Sequence, residues 1–233
     1  MDVGKTLTYT FDDEKWLSKL GLGALFSLVP ILNFAWLGYY IEVMRNVTQG
    51  KELPLPEWDD VGDKFMKGLI VAVAGFIYAL PGLIVFCGAL GIMIIPAIIE
   101  DQDTQGAIAA VTSIAGLTLI CCIGLYFLVF SFVFPAAQLR YSRYGTFQSL
   151  FQLGEVFRLI SANVSDYLVA WVITLGAGLV VSFAVGAVGA ILGWIPCLGQ
   201  ILTWAIATLA GVWASAVTAH LFGQVGAKAF ADQ

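Results

Sequence analysis

Four long stretches of this chain contain no charged side chain: residues 69–99, 107–135, 167–194 and 201–221. A helix of about 20 apolar residues crosses the hydrocarbon core of a bilayer, which is about 30 Å thick. Each stretch is long enough for that, so the sequence predicts an all-α, polytopic membrane protein. We expect one integral membrane domain over residues 1–233. Its transmembrane helices are predicted at residues 68–99, 107–135, 167–193 and 200–224.

Composition favours a place in the cell membrane and argues against a nucleic-acid partner. Hydrophobic residues make up 60% of the chain and charged residues 12%, which lies outside the usual range of soluble domains. The net charge is −5, whereas a protein that binds nucleic acid carries a basic surface. The expected partners are membrane lipids, with other membrane protein subunits or self-association as further candidates.

The positions of the 11 basic residues predict the orientation of the helices. Short cytoplasmic loops carry an excess of Lys and Arg, and the connections at residues 100–106 and 193–200 contain none. We therefore expect the four basic groups, and both termini, on the cytoplasmic side. These groups are Lys5, Lys15 and Lys19; Arg45, Lys51, Lys64 and Lys67; Arg140, Arg143 and Arg158; and Lys228.

Residues 16–45 form another apolar segment, with Pro30 near its middle. Proline removes one backbone hydrogen bond of a helix and clashes with the preceding turn. A single crossing would also place Lys19 and Arg45 on opposite sides of the membrane. The preferred interpretation is a helix–break–helix hairpin that enters from the cytoplasmic side and returns. The alternative is one kinked span with the N-terminus outside.

Residues 147–164 have the periodicity of an amphipathic helix. Their apolar side chains fall on one face, and polar side chains occupy the other. This pattern predicts a helix that lies at the cytoplasmic interface of the membrane. The apolar face consists of Leu150, Leu153, Phe157, Ile160 and Val164.

Small residues recur at every fourth position in the last two apolar stretches. Such a repeat keeps small side chains on one helix face, where a second backbone can approach closely. We expect the last two helices to pack against each other through these faces; the alternative is a face for another subunit. The central positions are Gly178, Ser182, Gly186, Gly211 and Ser215.

An acidic motif stands before the first long stretch. Its prolines favour extended backbone, its tryptophan is typical of a membrane interface, and an aspartate at its end is a preferred helix N-cap. We interpret the motif primarily as an architectural clamp, and secondarily as a docking site. The motif is Leu55-Pro56-Glu57-Trp58-Asp59-Asp60.

Residues with catalytic or metal-binding chemistry are scarce. The predicted spans have no ionisable side chain near their centres, which argues against a proton-coupled carrier or a charged-filter channel. His220 is expected to form hydrogen bonds at a helix end, together with Gln224. The four cysteines lack metal-ligand spacing and are expected to be buried apolar residues. We predict no catalytic residue, metal site or cofactor, and we do not expect an enzyme.

Several short pieces of the chain resemble the bacterial and archaeal membrane family known as domain of unknown function 4013. The family has no assigned activity, so the resemblance implies a membrane domain with a cytoplasmic acidic motif and supplies no catalytic residues. The matching pieces are Tyr9-x-Phe11-Asp12-Asp13-x-x-Trp16, Pro30 with Gly38-Tyr39, Gly50, the Leu55–Asp60 motif, and Ala219-His220-Leu221-x-Gly223-Gln224.

Two functions from different classes remain open at this point. The first is a scaffold or accessory subunit that binds other membrane proteins or lipid. The second is a transporter or channel for a small neutral or apolar solute. It would use the helix interruptions expected at Pro30, at Pro81-Gly82 and at Pro96, since broken helices often mark substrate sites in transporters.

Overall fold

The structure is a computed structural model and describes residues 2–95 and 102–231. Within these residues it contains eight α-helices and no strand, which confirms the all-α class. Short 3₁₀ turns lie at Tyr9–Asp12 and Phe147–Leu150. The helices are α1 Val3–Thr8, α2 Trp16–Leu28, α3 Asn33–Thr48, α4 Val61–Ile94, α5 Gln102–Tyr144, α6 Leu153–Ala162, α7 Val164–Leu192 and α8 Leu198–Ala229.

Four of the described helices are long and apolar enough to cross a membrane: α4, α5 from Ile108, α7 and α8. By length and composition the chain is a multi-pass integral membrane protein, as predicted. The helices extend beyond the apolar stretches; α4, for example, begins at Val61 and includes Asp63, Lys64 and Lys67. Charge limits how far a helix enters the bilayer, but it does not end the helix. The sidedness of both termini stays a prediction.

Two compact units make up the chain. One consists of Met1–Ala72 together with Pro135–Gln233, and we call it the main unit; the other is Val73–Phe134. The expectation of a single domain over residues 1–233 stays a prediction. The connection predicted at residues 100–106 is described only in part. Residues 100 and 101 lie outside the described residues, and α5 already begins at Gln102.

The Val73–Phe134 unit joins parts of α4 and α5 through aromatic contacts. The Tyr126 hydroxyl donates a hydrogen bond to the Tyr78 carbonyl, and the Phe134 ring lies edge-on to Tyr78 with ring centroids 5.6 Å apart. α4 continues through Pro81 as a helix, because a membrane helix tolerates proline where other groups satisfy the freed backbone atoms. The interruption predicted at Pro81-Gly82 is therefore absent. Pro96 lies outside the described residues.

In the main unit, residues 16–48 form a helical hairpin. α2 ends at Leu28 and α3 begins at Asn33, on either side of Pro30. With 13 and 16 residues, both helices are shorter than the roughly 20 residues that a crossing requires. Gly23 of α2 faces Trp36 of α3: a Cβ atom at Gly23 would lie 2.5 Å from the indole ring.

Glycines bring α3 close to both α4 and α8. A Cβ atom at Gly38 would lie 1.7 Å from the Lys64 carbonyl oxygen, and one at Gly68 would lie 1.7 Å from the Phe34 carbonyl oxygen. A Cβ atom at Gly223 would lie 2.6 Å from Val47 Cβ. Side chains at these positions are excluded by backbone or by buried atoms, so α3 forms the centre of the core of this unit.

The helix α6 is shorter than predicted, and the predicted apolar face is buried only in part, at Leu150 and Ile160. Its buried side chains are Val156, Leu159 and Ile160, whereas Leu153 and Phe157 are 46% and 54% exposed. The periodicity identified the amphipathic character of the segment. However, the 3₁₀ turn at Phe147–Leu150 and the boundary at Asn163 interrupt the helix, and this changes which side chains point inward. Val164 belongs to α7 instead.

Candidate functional site

The segment of residues 54–60, which we call the clamp, joins the two helices of the hairpin to the start of α4. Asn46, near the end of α3, donates a side-chain hydrogen bond to the Pro54 carbonyl at 2.9 Å. Lys19, near the start of α2, donates one to the Leu55 carbonyl, also at 2.9 Å. The outer ends of α2 and α3 are therefore held by neighbouring residues of one extended segment.

Lys19 of α2 is the central charged partner of the clamp. Its ammonium lies 2.8 Å from Asp13 Oδ2 and 3.1 Å from Glu57 Oε1, and the residue is only 6% exposed. Because a buried lysine loses its hydration, it stays charged only where acceptors replace water. Two carboxylates and one carbonyl oxygen supply that replacement here.

Trp58 fixes the clamp on the hairpin through stacking and a hydrogen bond. Its ring stacks on Tyr39, with centroids 4.6 Å apart and an interplanar angle of 16°. Phe26 packs at a tilt on the same indole. The indole N–H donates to the Lys19 carbonyl at 2.9 Å. The sequence predicted an interfacial anchor, whereas this tryptophan is half-buried and packs between residues of both hairpin helices.

The acidic end of the clamp caps α4. The Asp60 carboxylate accepts a hydrogen bond from the Asp63 backbone N–H at 3.0 Å, which is the contact of an N-cap with the third residue of a helix. Asp59 lies 3.7 Å from the Lys64 ammonium. Lys64 is itself buried and pairs with Glu42 of α3 at 3.1 Å.

Glu42 joins α3 to α4 rather than pairing within its own helix. Its second oxygen accepts from Lys67 at 2.8 Å. Glu42 and Arg45 stand three apart on α3, a spacing at which helix side chains are neighbours. In the structure, Lys64 and Lys67 both approach Glu42, and its two oxygens are used by these ammonium groups.

A cleft of about 560 Å³ opens beside the clamp. Both signs of charge line it, with Glu42, Glu57, Arg45 and Lys64 among the lining residues. No group of three or more metal-ligating side chains that could hold an ion occurs within the described residues. Carboxylates that are already paired with lysines are poor cation ligands, so the cleft has the chemistry of an ion-paired surface.

His220 and Gln224 attach the N-terminal segment to α8. The Thr6 hydroxyl and the Gln224 amide both lie 3.1 Å from His220 Nδ1. The Tyr9 ring stacks on the imidazole at 4.2 Å. Gln224 also accepts from the Asp2 backbone N–H at 2.8 Å. His220 is 5% exposed, and these contacts give it a structural hydrogen-bonding environment.

The helices α7 and α8 pack against each other, as predicted, but not at the predicted glycines. A Cβ atom at Gly178, Gly186 or Gly211 would meet nothing within 4 Å, so that part of the packing prediction is wrong. The two helices approach at Gly189 instead, where a Cβ atom would lie 3.1 Å from Thr203 Cγ2. Gly189 is three positions after Gly186, so the contact surface lies about 60° around the helix axis from the predicted one.

The two serines of these repeats differ in their surroundings. Ser182 is exposed on α7. Ser215 is half-buried and accepts a hydrogen bond from the Trp36 indole at 3.1 Å, so it contacts the hairpin. The expectation that the cysteines are buried is also wrong: Cys87, Cys121, Cys122 and Cys197 are exposed on the chain, because an apolar residue of a membrane helix can face lipid as well as protein.

The burial and pairing of the two lysines beside the clamp were not predicted from the sequence. In the sequence, Lys19 and Lys64 indicate only the orientation of the helices, although each is almost completely buried in the structure. The available signal was a lysine within an apolar helix, since lysine is almost never fully buried unless it is paired. Lys19 stands between Leu17 and Leu20 in such a segment.

Neutralising Asp60 should destabilise the start of α4 without unfolding the chain. We expect Asp60→Ala to lower the free energy of unfolding by about 0.5–2 kcal/mol, the usual range for an N-cap. Denaturant titration in detergent measures it. Asp59→Ala is the matched control. The Asp59 side chain is 82% exposed, so this substitution should lower the free energy of unfolding by less than about 1 kcal/mol. Equal losses in both variants would contradict the capping role.

Acidification should weaken the clamp through Asp13. Burial raises the pKa of this carboxyl, but hydrogen bonds from the Lys19 ammonium and the Lys15 backbone N–H outweigh burial and lower the pKa below its ordinary 3.8. A lowered folded-state pKa stabilises the protein above the unfolded-state value, and this stabilisation is lost as the pH falls through the folded-state pKa.

The corresponding measurement is the unfolding midpoint of wild type and Asp13→Asn at a series of pH values. We expect the difference between the two proteins to be constant above about pH 5 and to shrink at lower pH. A difference that stays constant down to the lowest pH at which both proteins remain folded would show that Asp13 is not ionised in the folded state.

Comparison with known proteins yields one match. No curated protein and no solved structure matches the chain. The model of one family matches residues 22–190, which include most of the hairpin and the whole clamp, whereas Tyr9 and His220 lie outside the matched range. The match covers more than half of the chain, so the chain belongs to the family described as Protein of unknown function (DUF4013).

Proposed function

We propose that this protein is a non-catalytic membrane scaffold or accessory subunit that binds other membrane proteins or lipid. The observation that carries the proposal is the small-residue face of α7, which is exposed in the described chain. Gly178, Ser182 and Gly186 are exposed on α7, and Gly211 is exposed on α8. Such faces allow close approach of another helix, with gains in van der Waals contact.

The ion-paired cleft supports a binding role over a catalytic one. The buried lysines of the clamp are fully engaged with carboxylates, and His220 lies among Thr6, Tyr9 and Gln224. General acid–base or nucleophilic catalysis needs a group positioned to reach a substrate. The transporter alternative has less support, because one of the helix interruptions on which it depends, at Pro81-Gly82, is a continuous helix.

Crosslinking in native membranes tests the proposal. A photoreactive side chain introduced at Ser182 should form one discrete crosslinked species in wild type. Adding Gly186→Leu should abolish this species, because the leucine fills the space in which a second backbone would lie. Gly124→Leu is the matched control, since Gly124 is an exposed glycine of α5 with nothing within 4 Å of its Cβ position.

The stability of the same variants separates binding from folding. Gly186→Leu should keep the unfolding midpoint of wild type in detergent, because a Cβ atom at this position meets nothing within 4 Å. Crosslinks only to lipid, or crosslinks unchanged by Gly186→Leu, would remove the support for a protein partner at this face.

A further inference from the structure

The C-terminal ends of α5 and α8 form a basic patch together with the short helix α6. Arg140 and Arg143 stand in the last turns of α5, Arg158 stands on α6 and Lys228 stands in the last turn of α8. Glu155 and Asp166 are the acidic residues that pair with them. The excess of positive charge in this patch contrasts with the net charge of −5 of the whole chain.

A cavity of about 230 Å³ lies within the patch. Arg140, Arg158, Glu155 and Asn163 supply its polar lining, and apolar side chains of α6 and α8 complete it. This volume is several times the roughly 30 Å³ that a water molecule occupies. It therefore has room for a phosphodiester group, but not for the acyl chains of a lipid.

Arg140 is a buried, charged residue in the lining of this cavity. The residue is 5% exposed. One of its terminal nitrogens donates to Gln152 Oε1 at 2.5 Å, and the other lies 3.5 Å from Glu155 Oε2. Its Nε is buried, with no hydrogen-bond partner among the described residues. Because a guanidinium stays protonated when buried, Arg140 places a full positive charge in the wall of the cavity, and an anion in the cavity would compensate that charge.

Arg158 is the exposed partner of Arg140 at the same cavity. Its side chain is 66% exposed and lies 2.5 Å from Glu155 Oε2. Glu155 thus bridges two guanidinium groups with a single carboxylate oxygen. Guanidinium groups bind phosphate oxygens with two parallel hydrogen bonds, and the remaining donors of Arg158 face solvent.

Apolar side chains flank this charged cavity. Leu153 and Phe157 on α6, together with Val164 and Leu168 at the start of α7, are between 41% and 54% exposed. Amphipathic helices with such side chains lie at the boundary between headgroups and acyl chains. Basic pockets between transmembrane helices are typical binding sites of anionic headgroups.

We propose that this cavity binds the phosphate of an anionic phospholipid headgroup, with Arg140 and Arg158 as its hydrogen-bond donors. The proposal deepens the proposed function by naming a class of lipid, and it rests on that function only in assigning a binding role. It depends on residues other than the small-residue faces of α7 and α8. Crosslinking at Ser182 and lipid retention at Arg158 can therefore fail separately.

Native mass spectrometry of the full-length protein tests the proposal. The protein is purified in detergent and mixed with phosphatidylglycerol or with phosphatidylcholine. Wild type should retain phosphatidylglycerol in preference, and Arg158→Gln should retain about fivefold less of it, as expected for the loss of one basic contact near a membrane surface. Glu155→Gln should retain more, because it frees donors of both arginines.

Arg143→Gln is the matched control. Arg143 is exposed on the same helix end and lies over the Phe230 ring instead of lining the cavity. Its variant should keep the lipid retention of wild type within about twofold, since the bulk attraction of one charge is screened. Equal losses for Arg143→Gln and Arg158→Gln would show unspecific attraction and overturn the site. Release of the lipid by an equal concentration of inorganic phosphate would overturn the assignment to a lipid.

Discussion

Alanine at Gly38 or Gly68 should prevent α3 and α4 from packing and should destabilise the protein severely. In each case the added Cβ atom would lie 1.7 Å from a backbone carbonyl oxygen of the other helix. No side-chain rotation relieves such a contact, so the helices must separate. Overpacking against side chains costs about 1–3 kcal/mol, and we expect a loss of about 3 kcal/mol or more where backbone is in the way. Denaturant titration in detergent measures the loss.

The control for this prediction is alanine at Gly186 or Gly211. Both are glycines of long helices with nothing within 4 Å of the Cβ position. Alanine is also the better helix former, by up to about 1 kcal/mol. These two variants should therefore be as stable as wild type or slightly more stable. Unaltered stability of Gly38→Ala would show that α3 and α4 are further apart than described.

Removing the Lys19 ammonium should produce the second large effect. Lys19→Met keeps most of the side-chain volume but leaves the buried Asp13 carboxylate and the Leu55 carbonyl without their donor. Breaking a buried ion pair on one side costs about 3–5 kcal/mol, because a charge stays buried and unpaired. The free energy of unfolding in detergent should fall by that amount.

Two further variants test whether the buried ion pair causes this loss of stability. Lys15→Met is the exposed control: Lys15 lies 3.6 Å from Glu57 with 71% of its side chain exposed, so the loss should stay below about 1 kcal/mol. Adding Asp13→Asn to Lys19→Met should recover part of the loss, because the unpaired charge is then absent. A double variant that is no more stable than Lys19→Met would indicate that the Leu55 contact, rather than the ion pair, is decisive.

The sequence predicted the coarse architecture because its signals are local. Runs of uncharged residues identify long apolar helices, and Pro30 identifies the break between α2 and α3. Asp60 was predicted as an N-cap from its position before α4, and the structure has that contact. Each of these features depends on residues that are near one another in the chain.

Features that depend on tertiary packing were not predictable in this way. The repeat at Gly178, Gly186 and Gly211 indicates that a second backbone can approach, but it does not say which helix approaches or from which chain. Gly38 and Gly68 each meet the backbone of the other helix, and neither belongs to such a repeat. The partners of Lys19 likewise come from two separate segments of the chain, at Asp13 and at Leu55 and Glu57.

The buried face of α6 was not predictable for the same reason. Its periodicity gave amphipathic character, yet the inward face is set by the 3₁₀ turn before it and by the α7 boundary after it. Arg140 and Arg158 converge on Glu155 because α5 and α6 meet there. In the sequence, these arginines counted only as positive charges beside a membrane.

Topology labelling tests the central claim that the hairpin does not cross the membrane. Cys197 lies in the α7–α8 connection and is exposed, so it serves as the label for one side once the other cysteines are replaced by alanine. Single cysteines at Thr8 and Thr146, both exposed, report the two sides of the hairpin; Ser142 is 4% exposed and unsuited. In intact cells, an impermeant maleimide should label Cys197 and neither Thr8→Cys nor Thr146→Cys. Labelling of Thr8→Cys together with Cys197, with Thr146→Cys protected, would show that residues 16–48 span the membrane and would contradict this account.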